Sequence, residues 1–123
     1  MSDRVYKALP GSNLQQATEA VRNRARDAIC ELLPALAFTQ EEPAAIAELY
    51  AKVLADSMFD EAIRRAVAEA CCTLVQLRKD DAAAAILLDG LARARGGQAF
   101  MRQIEFCTNE VKEFREIAKQ TKS

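Results

Sequence analysis

The chain of 123 residues contains no histidine and no tryptophan, and it has only four glycines, three prolines and 6% aromatic residues. The missing imidazole removes the commonest general base near neutral pH and the commonest metal ligand. It rules out the Glu-x-x-His pairs of di-iron bundles and mixed cysteine–histidine zinc sites. With few aromatics, a core must be built from aliphatic side chains and alanine. Such small residues let helices approach closely, which favours helix-on-helix packing over a sheet. Charge of one sign is lacking too. A formal net charge of -1 gives no overall field to draw the molecule onto nucleic acid or an anionic membrane. Long apolar runs are missing: the most apolar stretch, residues 82–88, is far shorter than a bilayer span. Met1-Ser2-Asp3-Arg4 is not followed by a secretory-type apolar segment. The expectation is a soluble, cytoplasmic protein with no membrane partner.

Four cysteines are present, Cys30, Cys71, Cys72 and Cys107, without a CxxC pair. A four-cysteine metal site would need Cys71 and Cys72 to converge, yet neighbours on a helix diverge by about 100°. Buried, reduced thiols are expected, and a vicinal Cys71–Cys72 redox pair is the alternative. No nucleophile elbow, phosphate-binding loop or dinucleotide fingerprint occurs. The acidic pairs Glu41-Glu42, Asp60-Glu61 and Asp80-Asp81 stand at helix starts, where they favour the positive end of the dipole by about 0.3–1 kcal/mol. No catalytic residue, metal ligand or cofactor is expected.

What is present is helical periodicity. Residues 1–11 form an arm ending in the turn signal Pro10-Gly11, and residues 12–123 form one helical domain. Ser12 with Gln15 reads as a capping box. The first helix carries Leu14, Ala17, Val21, Ala25, Ala28, Ile29, Leu32 and Leu36 as its inner stripe, and Pro34 should end or kink it. Thr39 with Glu42 reads as a second capping box, with Pro43 in the first turn. Ile46, Ala47, Tyr50, Val53 and Leu54 make the next stripe.

Ser57 or Asp60 caps the third helix. Its stripe runs through Phe59, Ile63, Ala66, Val67, Ala70, Cys71, Leu74 and Leu77, widened by Ala68, Cys72 and Val75, so it is the candidate for the most buried element. Asp80 or Asp81 starts the fourth. Gly90 inside it costs about 1 kcal/mol against alanine and implies close approach of another helix. Gly96-Gly97 should end that helix through left-handed backbone. The fifth runs to about Lys119 on Phe100, Ile104, Cys107, Val111, Phe114 and Ala118.

The fold class is therefore all-α, a single-domain antiparallel bundle of four to five helices. Helix starts recurring about 40 residues apart give the alternative, a short HEAT-like stack of helical hairpins.

Two groups of residues are candidates for function. Phe106 sits beside the main stripe of the fifth helix with Ile117 on its side, and Leu49 flanks the stripe of the second. Exposed, these three would be partner-binding residues. Arg93, Arg95 and Arg102 bracket Gly96-Gly97, where arginines and free amides at a helix start could bind an anion: a phosphate, a nucleic-acid backbone or a partner's carboxylates. Arg22, Arg24 and Arg26 read as a solvated, salt-bridged surface. The functional expectation is a non-enzymatic protein–protein interaction module, an adaptor, regulatory subunit or small homo-oligomer, whose partner is another protein or a second copy of itself. The alternative is a nucleic-acid-associated regulatory protein binding phosphate through the arginine cluster.

Overall fold

A computed structural model describes residues 11–122, and side chains from 15 to 120. Among the described residues there are five α-helices and no strand: α1 (Gly11–Ala35), α2 (Pro43–Ala55), α3 (Glu61–Arg78), α4 (Asp81–Arg93) and α5 (Gln98–Lys122). A single 3-10 turn, Leu36–Phe38, follows α1. The expected arm lies almost wholly outside the described residues. Gly11 is already helical, so Ser12 falls within α1, and its side chain is not among those described.

Local signals account for most boundaries. Asp60 and Asp80 cap α3 and α4, accepting from the backbone amides of Ala62 and Ala83 at 2.9 Å each. Pro43 occupies the first turn of α2, where a missing N–H is harmless. Thr39 does not cap α2. Its hydroxyl donates to the Leu36 carbonyl and accepts from the Glu41 amide, closing the turn before the helix, while Glu42 holds the cap position. Pro34 neither stops α1 nor breaks it at once: the helix ends one residue later and tightens into the 3-10 turn. Lys79 ends α3 in the left-handed region (φ 52°), a role usually given to glycine. Neither Gly96 nor Gly97 is left-handed, which corrects the expectation for that turn. A Cβ at Gly96 would lie 2.5 Å from the Phe100 ring, so this glycine makes room for the aromatic.

Cross-chain bonds fix the topology. Arg64 at the start of α3 donates to the Arg95 carbonyl just past the end of α4, so α3 and α4 are antiparallel. Arg115 late in α5 pairs with Asp81 at the start of α4, making that pair antiparallel as well. Gln103 early in α5 donates to the Arg65 carbonyl early in α3, so these two are parallel. Arg78 at the end of α3 holds the Thr39 and Glu41 carbonyls beyond the end of α1, at 2.8 and 2.7 Å. The helices thus alternate in direction and form two layers. One contains α1, α3 and α5, with α3 in the middle; the other contains α2 and α4, which make the most extensive contact in the molecule.

That contact explains Gly90. A Cβ there would sit 2.5 Å from the Ala51 Cα, so α4 lies against the α2 backbone. Three of the cross-chain bonds span similar sequence separations, 38 for Gln103 to Arg65, 39 for Arg78 to Thr39 and 37 for Arg78 to Glu41, whereas Arg64 to Arg95 spans 31 and Arg115 to Asp81 spans 34.

The core is aliphatic, as the composition implies. All five expected residues of α2 are buried, and Ile63, Val67, Ala68, Ala70, Cys71, Leu74 and Val75 make α3 the most buried helix. Phe100, Ile104, Cys107 and Val111 supply the inner side of α5. Two stripes depart from expectation. Leu77 is exposed, because α3 is ending there. In α1 only Ile29, Cys30, Leu33 and Leu36 join the core, whereas Ala17, Val21, Ala25, Ala28 and Leu32 are exposed. As an outer member of its layer, α1 meets α3 on one side only.

Candidate functional site

The inner side of α5 is fixed by packing on α3 and α4, and this determines where its remaining side chains go. Phe100, Ile104, Cys107 and Val111 point inward, so Phe106, about 100° from Cys107, is carried to the edge of the packed face. It is 63% exposed, and Ile117 on the same side is 54% exposed. Gln103 borders α3 through its bond to the Arg65 carbonyl at 3.1 Å. Phe106 therefore stands where α5 meets the open surface of its layer. Arg102 is one turn before it, and Glu110 and Glu113 lie between Phe106 and Ile117 along the helix, so the two apolar residues are separated by acidic ones. Leu49 is 40% exposed but lies on α2 in the other layer, and it does not join the pair.

The arginine cluster does not converge. Arg93 pairs with Asp89, one turn earlier on α4, at 3.3 Å. Arg95 folds back on the end of that helix and donates to the Ala92 and Ala94 carbonyls at 2.9 and 2.7 Å, which satisfies groups left over at a helix C-terminus. Arg102 is exposed, on the Phe106 side. At the start of α5 the Glu61 carboxylate comes within 3.5 Å of where a Cβ on Gly97 would lie, so an internal anion already stands at this helix end. Elsewhere Arg26 pairs with Asp27, while Arg22 and Arg24 are exposed.

Sequence reading overlooked Arg64, the buried charge among the described residues, at 6% exposure. Its guanidinium donates to the Phe59 and Arg95 carbonyls and lies 4.7 Å from the Phe100 ring centroid. The signal was present: Arg64 falls on the row of Ala68, Cys71 and Val75 at helical spacing. Exposed Phe38 and Met58 were also missed, being in loops where periodicity carries no information.

Among the thiols, Cys71 and Cys107 are buried as expected, whereas Cys30 and Cys72 are half-buried. Cys71 is buried in the core, and desolvation pushes its pKa well up. Cys72 meets Cys107 on α5. The interaction of the two thiols lowers the pKa of Cys72 and raises that of Cys107. Cys30 on α1 takes no part, and its pKa is raised chiefly by burial. Among the described residues no group of histidine, cysteine or acidic side chains is placed to hold a metal ion, and no helix is long and apolar enough to cross a membrane. A groove of about 670 Å³ runs between α2 and α4 over Ala51 and Gly90 and mixes Glu48 and Asp89 with Lys52 and Arg93.

Comparison with family models, with curated proteins and with solved structures found no match.

Proposed function

We propose that this chain is a non-enzymatic protein–protein interaction module that engages its partner through the Phe106–Ile117 face of α5. The observation that supports the reading is Phe106 itself: an aromatic side chain, mostly exposed, held by a helix whose other side is anchored in the core. Burying such a ring removes a large apolar area from water at small entropic cost, because its backbone is already ordered. Arg102, Gln103, Glu110 and Glu113 surround the ring with polar groups, the last two standing between it and Ile117, so a partner would meet apolar and acidic groups together. The nucleic-acid alternative rests on fewer groups, since Arg93 and Arg95 are engaged within α4 and its C-terminal turn.

The test is capture of partners from native lysate with tagged protein, with and without nuclease, alongside the Phe106→Glu variant. A protein recovered in stoichiometric amount despite nuclease, and lost with Phe106→Glu at unchanged thermal stability, is the expected result. Loss of all bound material on nuclease treatment would move the function to the arginines.

A further inference from the structure

The exposed side of α1 has an order of its own. Val21, Ala25, Ala28 and Leu32 recur at spacings of four, three and four, the register of a coiled-coil seam. All four are exposed, Val21 by 68% and Leu32 by 67%. The seam lies roughly a third of a turn around the helix from Leu33 and almost half a turn from Cys30, both of which pack against the core. None of the four joins the core, although Ala25 borders a cleft that reaches Ile63 of α3.

We propose that this seam pairs with the same seam of a second copy, the two α1 helices running antiparallel about a twofold axis beside residues 26 and 27. Val21 then meets Leu32 of the second copy, Ala25 meets Ala28, and symmetry repeats both layers. The alanine layers let the helices come close, and the larger residues close the seam at each end.

Charge selects this arrangement. In the antiparallel register the flanking positions bring Arg24 opposite Glu31 of the second copy, and Glu31 opposite its Arg24, giving two symmetric ion pairs between exposed residues. A parallel, in-register pair would set Arg24 against Ile29 and Arg22 against Ala17, pairing no charges. Met58, 89% exposed and lining the same cleft as Arg22 and Ala25, lies beside the seam, where the second helix would cover it. A seam of about three turns is short, so the association falls in the weak, reversible class.

Sedimentation equilibrium of the full chain, from micromolar to millimolar concentration, tests the proposal. The average mass is expected to rise from that of one chain toward two. Arg24→Glu turns both ion pairs into repulsions and should weaken association roughly tenfold or more. Arg24→Glu with Glu31→Arg in the same chain exchanges the charges and should restore it. Both positions are exposed, so far-ultraviolet circular dichroism should show unchanged helix content. A monomer at millimolar concentration, a dimer indifferent to Arg24→Glu, or a charge-exchanged chain that stays monomeric would each overturn the proposal. Phe106→Glu should leave self-association unchanged, which keeps this test separate from that of the partner face.

Discussion

Tyr50 shows how single residues tie the elements together. Its ring is fully buried, and its hydroxyl donates to the Leu33 carbonyl in the last turn of α1. Burial pushes its pKa up from 10.0 to about 12. A phenol harder to ionise in the folded state than in the unfolded chain contributes stability that is intact below pH 10 and is lost as the pH rises toward about 12. Denaturant titrations across that range should show stability falling in the wild type and a much flatter profile for Tyr50→Phe. At neutral pH the same substitution should cost about 1 kcal/mol, because the ring still fills its site while the Leu33 carbonyl loses a partner. Arg64, Arg78 and Arg95 work in a related way, their guanidinium groups satisfying carbonyls at helix ends and in turns. Arginine here is largely an internal fastener. A count of arginines in sequence overstates how many are offered to a ligand.

At the level of elements, the amphipathic stripes of α2, α3 and α5 were legible because each of these helices is packed along much of its length, and a 3.6-residue period leaves a complete record of that. The stripe of α1 was misleading for the converse reason. Val21, Ala25 and Leu32 repeat as regularly as core residues, but periodicity reports an apolar face and not what covers it. Caps were legible where an aspartate stands directly before the helix, at Asp60 and Asp80. Thr39 failed because its hydroxyl is held by the preceding turn. Phe106 and Ile117 were recognisable as off-stripe residues, whereas the separation of Leu49 from them depends on layer order, which no local pattern encodes. Gly90 was read correctly from an argument about cost, and it carries a sharp prediction. Gly→Ala in an exposed helix would stabilise by about 1 kcal/mol. At Gly90 the new Cβ would strike the α2 backbone, so Gly90→Ala should instead destabilise by roughly 1–3 kcal/mol, measured by urea denaturation.

Across the whole molecule, burial is graded. The densest packing surrounds α3 and the α2–α4 contact, while residues 15–25 of α1 are exposed throughout. Local opening should follow this gradient. Native-state hydrogen exchange of dilute protein should find the amides of residues 15–25 exchanging at free energies far below the global value, with those of α3 near it. Concentrating the sample into the range where α1 helices pair should slow the first group and leave the second unchanged.

The way α2 lies against α4 while α3 lies against α5 has a consequence for how such a chain can change length. Each hairpin meets chiefly its neighbours, and among the described residues no extensive contact joins α1 to α5 to close the stack into a ring. Stability then accumulates hairpin by hairpin. Duplicating the α4–α5 hairpin would add a storey that rests on the one below it, with the old end surface becoming new core. The architecture sets a rule for addition, and the number of storeys is left to the history of the gene.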